Sequence, residues 1–144
     1  MRIGVFGSGG VGGYFGGRLA EAGEDVRFVA RGAHLAAMRE RGLRVTSTAG
    51  DFVVHPVRAS DDPAALGEVD VVLVAVKAWQ VAEAADALRP MLGAATFVVP
   101  LENGIEAPDT LAAALGRNRV LGGSQAPTSS GWPRCGAVAA GAQG

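Results

Sequence analysis

Arg2-Ile3-Gly4-Val5-Phe6-Gly7-Ser8-Gly9-Gly10-Val11-Gly12-Gly13-Tyr14-Phe15-Gly16-Gly17 is the stretch on which the fold turns. Arg2 to Phe6 is short, apolar and partly β-branched, and it ends at glycine, so it reads as a buried strand. Gly7 to Gly12 then spells G-x-G-x-x-G. From Gly10 to Ala22, Val11, Phe15, Leu19 and Ala22 recur at helical spacing, and Gly23 stands where a C-terminal cap is expected.

Between a strand and a helix, each of these glycines has a physical task. Gly7 permits the tight turn, Gly9 lets the backbone approach a pyrophosphate, and Gly12 lets helix and strand pack closely. The free N–H groups along Ser8, Gly9, Gly10, Val11 and Gly12 face an anion, helped by the helix dipole. A glycine-rich turn without a ligand is the alternative. Against it, Gly12, Gly13, Gly16 and Gly17 all fall in the helix, where each is disfavoured by about 1 kcal/mol relative to alanine. Close packing or close ligand approach has to offset that.

Outward from this unit, strand and helix patterns alternate. Asp25 to Ala30 is a strand, Ala33 to Arg41 a helix closed by Gly42, and Leu43 to Thr48 with Phe52 to Val57 a hairpin or two short strands. Ser60-Asp61-Asp62-Pro63 opens a short helical turn through Leu66. Val69 to Val76 is continuously apolar apart from Asp70, as in a parallel strand buried on both faces. Trp79 to Leu88 is a helix with Val81, Ala82, Ala85 and Leu88 on one face, ended or bent at Pro90. Thr96 to Val99 is a strand, Pro108 to Leu115 a helix closed by Gly116, and Arg119 to Leu121 a last short strand. The alternation implies an α/β domain with a mostly parallel sheet.

Ligands of open α/β sheets sit at the carboxyl ends of the strands. An NAD site would place a carboxylate after the second strand. Here that strand ends in Arg31, nineteen residues past Gly12, while Glu24 and Asp25 lie at its other end. A guanidinium there clamps a 2′-phosphate with paired hydrogen bonds, which favours NADP(H) over NAD; a solvated surface arginine is the alternative. Lys77 follows Val76 and can hold phosphate or carboxylate oxygens. Asn103 follows the Thr96 to Val99 strand and can donate and accept toward a nicotinamide ribose or a substrate hydroxyl. Both are candidates for cofactor and substrate contact, with loop capping as the alternative. Trp79 reads as core or partly covered surface, and Arg39-Glu40-Arg41 as a solvated helix face. His34 and His55 are given no catalytic role.

The chain has 144 residues, one ordinary domain's length, with 13 basic and 14 acidic side chains. A net charge of −1 leaves no electrostatic footprint for nucleic acid or an anionic membrane. The run Val71 to Val76 is far short of the roughly 20 residues of a spanning helix, and the N-terminus lacks the pattern of a signal peptide. One cysteine, Cys135, and two histidines exclude a zinc site of the usual spacing. A cytoplasmic protein is expected. Glycine, 22 residues, is about twice as frequent as average. After Gly123 the composition shifts: residues 124–144 hold one charged side chain, Arg134, among Ala, Gly, Ser, Pro and Gln. Two units are therefore expected, a nucleotide-binding domain over 1–123 and a low-complexity, disordered or aberrant tail over 124–144.

G-S-G-G-V-G-G-Y-F-G from Gly7 to Gly16, A-R-G-A-H-L from Ala30 to Leu35, V-K-A-W-Q from Val76 to Gln80 and E-N-G-I from Glu102 to Ile105 together resemble the N-terminal domain of the ketopantoate reductase (2-dehydropantoate 2-reductase) family. The pieces run in family order through about Gly123. The resemblance implies a Rossmann-type, doubly wound sheet and NADPH-dependent reduction of 2-dehydropantoate to pantoate, on the route to pantothenate and coenzyme A. It implies that the glycine loop and Arg31 bind NADPH and that Lys77 and Asn103 line the cofactor and substrate cleft. Glu102 departs from the glutamine common before that asparagine, and its carboxylate disfavours an acidic substrate. By the same resemblance, the general-acid lysine belongs to a second, helical domain. Lys77 is the sole lysine here, so no catalytic acid is assigned and these 144 residues alone are expected to be inactive. The competing expectations are a non-catalytic NADP-binding module and a related dehydrogenase acting on another 2-keto or 2-hydroxy acid. An apolar face left uncovered would favour a homo-oligomer.

Overall fold

The computed structural model of the chain describes residues 1–7, 10–46, 50–101 and 106–121. Ser8, Gly9, Glu102, Asn103 and the 124–144 segment, all singled out above, lie outside the described residues. In chain order the elements are β1 (Arg2–Phe6), α1 (Gly10–Glu21), β2 (Asp25–Val29), α2 (Gly32–Arg41), β3 (Leu43–Val45), β4 (Phe52–Val54), β5 (Arg58–Ser60), α3 (Pro63–Leu66), β6 (Val69–Val74), α4 (Val81–Ala87), β7 (Leu92–Pro100) and α5 (Glu106–Leu115).

Five strands form one sheet in the order β5-β2-β1-β6-β7, and all four neighbouring pairs are parallel. From the central β1 the chain winds outward through β2 to β5. It then crosses back to β6 and winds the other way to β7. The direction reverses between β1 and β6, which opens a crevice at their carboxyl ends. Two clusters of buried side chains lie on the two faces. One joins Phe6, Val72, Val74 and Val98 to Val81, Ala85 and Leu88 of α4 and Leu111 of α5. The other joins Val5, Phe28 and Leu73 to Leu35 and Met38 of α2 and to Leu43 and Val45 of the antiparallel β3–β4 pair.

Helix α1 turns an unexpected face inward. Its fully buried residues are Gly12, Gly13, Gly16 and Gly17, while Val11 and Ala22 are exposed and Phe15 and Leu19 only half-buried. The glycines are therefore the fully buried face, and Phe15 and Leu19 pack at its margin. A Cβ on Gly16 would stand 2.6 Å from Phe28 Cε1 and 2.8 Å from Val5 Cγ2, and one on Gly17 3.0 Å from Phe52 Cε2. The helix backbone itself rests on the sheet and on the β3–β4 pair.

Several boundaries depart from the sequence reading. The strand expected over Phe52 to Val57 ends at Val54, and a separate strand, Arg58–Ser60, pairs with β2. Strand β7 starts at Leu92 rather than Thr96. The expected strand at Arg119 to Leu121 is a single parallel bridge, Val120 to Val98. Gly23 and Gly116 do close their helices, donating to the carbonyls of Ala20 and Ala112. No helix among the described residues is long and apolar enough to cross a membrane.

Candidate functional site

Parallel register sets Ser60, Val29, Phe6, Val74 and Pro100 side by side across the sheet. The residues after them share one edge. The ladder runs one residue further, with Ala30 N donating to Ser60 O at 3.0 Å, Ala75 N to Phe6 O at 2.8 Å and Leu101 N to Val74 O at 2.9 Å. Beyond it stand Gly7 after β1, Arg31 after β2 and Lys77 after β6. The three residues that the sequence places at strand ends are thus brought to one edge, with Arg31 and Lys77 on the strands flanking the glycine turn.

Gly7 and Gly12, at the two ends of the glycine stretch, are tightly enclosed. Gly7 has φ +98°, and a Cβ there would lie 2.8 Å from the Ala75 carbonyl oxygen and 3.1 Å from Val76 Cγ1. A Cβ on Gly12 would overlap the carbonyl oxygen of Gly7 and press Ala75 Cβ at 3.0 Å. Neither position admits a side chain, so Gly7, Gly12 of α1 and the segment after β6 stand in contact. Gly10 is the reverse: it is exposed, and a Cβ there would meet nothing within 4 Å. Val11 beside it is 40% exposed. Helix α1 therefore offers Gly10 and Val11 outward over a closed floor. That is the shape needed to receive a pyrophosphate on backbone N–H groups, and the chain fits such a group there.

Arg31 is exposed and occupies the N-cap of α2 in extended conformation (φ −135°, ψ 157°), with no cap hydrogen bond from its side chain. Lys77 is exposed too. Its backbone is fixed by its N–H donating to Gln80 Oε1 at 3.1 Å and by Gln80 N–H donating to its carbonyl at 2.8 Å. Neither cation has a hydrogen-bond or ion-pair partner among the described residues. By contrast, Asp25 sits at the opposite edge of the sheet, ion-paired to Arg27 at 3.0 Å and Arg58 at 3.3 Å. Hydrogen bonding from Arg27, and then from Arg58, holds its carboxyl below the usual carboxylate range. It cannot serve as a ribose ligand.

Trp79 departs from expectation. It is 80% exposed, in the short 3₁₀ turn Ala78–Gln80 between Lys77 and α4. The helix's inward stripe is Val81, Ala84, Ala85 and Leu88, and the indole lies outside it. The indole stands five residues beyond the end of β6, in a turn that helical spacing merges with the helix after it. Among the described residues no group of three His, Cys, Asp or Glu side chains could hold a metal ion.

An open parallel sheet of this strand order, with a glycine turn after its central first strand and a helix starting behind that turn, defines the Rossmann class of doubly wound α/β domains. A model of the family described as Ketopantoate reductase PanE/ApbA matches residues 3–140. The chain belongs to that family of oxidoreductases. It is 43% identical over 106 residues to the 2-dehydropantoate 2-reductase of Mesorhizobium japonicum, covering 73% of this chain and 32% of that protein. The crystal structure of 2-dehydropantoate 2-reductase from Porphyromonas gingivalis W83 superposes with a TM-score of 0.75 at 38% identity, over 83% of this chain and 44% of that one. The Geobacter metallireducens GS-15 enzyme gives 0.79 at 33% identity, over 83% and 40%. The chain thus spans about a third to two fifths of the relatives it matches.

Proposed function

We propose that these residues are the cofactor-binding part of an NADPH-dependent 2-dehydropantoate 2-reductase. The observation that carries the reading is Arg31, a guanidinium without a partner among the described residues, at the edge where the glycine turn exposes the start of α1. The glycine floor and the N–H groups of α1 receive the pyrophosphate, and the Arg31 fork holds the 2′-phosphate. Lys77, rigidly placed on the β6 side, contacts cofactor and substrate oxygens, and Asn103 shares that role. The bound cofactor supplies a hydride for the substrate's ketone carbon, and an acid must protonate the resulting alkoxide. Lys77 stands at a strand end suited to anion contact, so the acid is a group outside these residues. By themselves they bind nucleotide and turn over substrate poorly.

Other features support the finer parts of this reading. Phe97 and Leu121, 44% and 47% exposed, leave apolar surface uncovered, which favours a homo-oligomer. The small 2-keto acid substrate of the proposed reaction fits a cytoplasmic enzyme. Glu102, in place of the family's usual glutamine, favours a second reading in which the ketone belongs to a different 2-keto acid. The test is calorimetric titration with NADPH and NADH, followed by reduced-nicotinamide absorbance with 2-dehydropantoate and a panel of 2-keto acids. Tighter binding of NADPH supports the cofactor assignment. Equal affinity for both nucleotides, or no binding, overturns it.

A further inference from the structure

The carboxyl edge displays one large aromatic side chain with almost nothing over it. The Trp79 indole is 80% exposed, yet its backbone is held on both sides. The Lys77–Gln80 hydrogen bonds close the turn that carries it. Beyond it Val81, Ala84, Ala85 and Leu88 anchor α4 in the core. Before it, Ala75 and Val76 lie against Gly7. The indole therefore rises from an anchored turn, three residues after the Val76 side chain that lies against Gly7.

Resting on the nucleotide-binding reading above, we propose that Trp79 is the stacking surface for the adenine ring of the bound dinucleotide. Arg31 follows β2 and Trp79 follows β6, the two neighbours of β1. With strands about 4.8 Å apart, the ends of β2 and β6 lie roughly 10 Å apart, on either side of the glycine turn. Helix α2 packs on one face of the sheet and α4 on the other, so the crevice opens between their starts. A ribose whose 2′-phosphate is held at Arg31 carries its purine on the adjacent carbon, one sugar's width away, at the mouth of that crevice. A purine there is favoured only against a flat, apolar partner. The large hydrophobic side chains exposed near this edge, among the described residues, are Val11 at 40% and Trp79 at 80%. Only Trp79 presents a ring face of matching area, and offset stacking of aromatic rings adds to simple area burial.

The experiment uses the full chain carrying Trp132→Phe, which leaves Trp79 as its one tryptophan. Titration with 2′,5′-ADP is expected to quench and blue-shift Trp79 emission. That probe does not absorb in the emission band, so the quench reports contact rather than energy transfer. In a Trp79→Ala variant, affinity for both 2′,5′-ADP and NADPH should fall about fivefold, the scale of an aromatic contact. Trp79→Phe should recover most of it. A thermal melt of the alanine variant that matches the parent, as expected for so exposed a side chain, ties the loss to the site. Unchanged 2′,5′-ADP affinity in Trp79→Ala, or no quench in a parent that binds the probe, overturns the stacking role while leaving the nucleotide reading intact. A parent chain that binds neither NADPH nor 2′,5′-ADP overturns both.

Discussion

Arg31 and Gly12 act by opposite means: one by a charge it holds out, the other by a side chain it lacks. Replacing Arg31 with alanine removes charge-assisted hydrogen bonds worth about 1.5–3 kcal/mol each. NADPH affinity should fall by that amount in calorimetric titration, with NADH affinity nearly unchanged. Equal losses for both nucleotides would place Arg31 away from the 2′-phosphate. Gly12→Ala should favour an isolated helix by about 1 kcal/mol. In this fold the added methyl overlaps the Gly7 carbonyl oxygen, and the crowding term of about 1–3 kcal/mol wins. A urea melt should show net destabilisation, and nucleotide binding should weaken because the turn must shift to make room. A stabilised Gly12→Ala variant would mean that α1 stands far enough from Gly7 to admit a methyl group.

The sheet, as an element, is polar in its use of charge. At its amino edge the strands are stitched by ion pairs. The Met1 amino group meets Glu24 at 2.9 Å, Arg2 meets Asp70 at 3.3 Å, and Asp25 bridges Arg27 and Arg58. At its carboxyl edge Arg31 and Lys77 are held out unpaired among the described residues. Both Asp25 and Asp70 have carboxyls depressed in the folded state, Asp25 chiefly by Arg27 and Asp70 chiefly by the Arg2 backbone N–H. A depressed carboxyl contributes stability above its unfolded value and loses it as pH falls through the folded one. The melting temperature should therefore drop below about pH 4, and an Asp25→Asn, Asp70→Asn double variant should show a shallower drop. Surface exposure keeps the effect small. An identical acid limb in the double variant would remove these pairs from the account. The same edges show what could be read beforehand. The β1 and β2 strands, the glycine caps and the placement of Arg31 and Lys77 follow from local pattern. Strand β5 does not, because Arg58-Ala59-Ser60 has no apolar alternation. It is strand because β2 offers an unpaired edge at Arg27, Phe28 and Val29, which Arg58, Ala59 and Ser60 fill from across the chain. Likewise Leu92 to Ala95, with a glycine and two alanines, becomes strand through the pairing of Leu92 with Val69. Trp79 was misread because spacing assigned it to a helix that begins only at Val81.

At the scale of the molecule, binding and chemistry separate. On the proposed reading, the described groups that hold a dinucleotide belong to one edge of one sheet. The reaction also requires a positioned acid, typically contributing 10²–10⁴-fold, and a second wall to orient the ketone and exclude water. A polypeptide of these 144 residues, its mass verified, should bind NADPH yet consume it with 2-dehydropantoate at least a hundredfold more slowly than a complete relative. A comparable rate would place the acid within these residues. The edge owes its position to the packing of α1, whose four buried glycines bring its backbone down onto Val5, Phe28 and the β3–β4 pair. Glycine has no smaller neighbour in the genetic code: every missense change of its codon adds at least a β-carbon. In a saturation library, positions 12, 13, 16 and 17 should therefore be depleted as two adjacent pairs four residues apart, tracing the helix's inner face by what it refuses. The first turn at Gly10, open to solvent, should tolerate folding-neutral variants that fail only in a selection for cofactor binding.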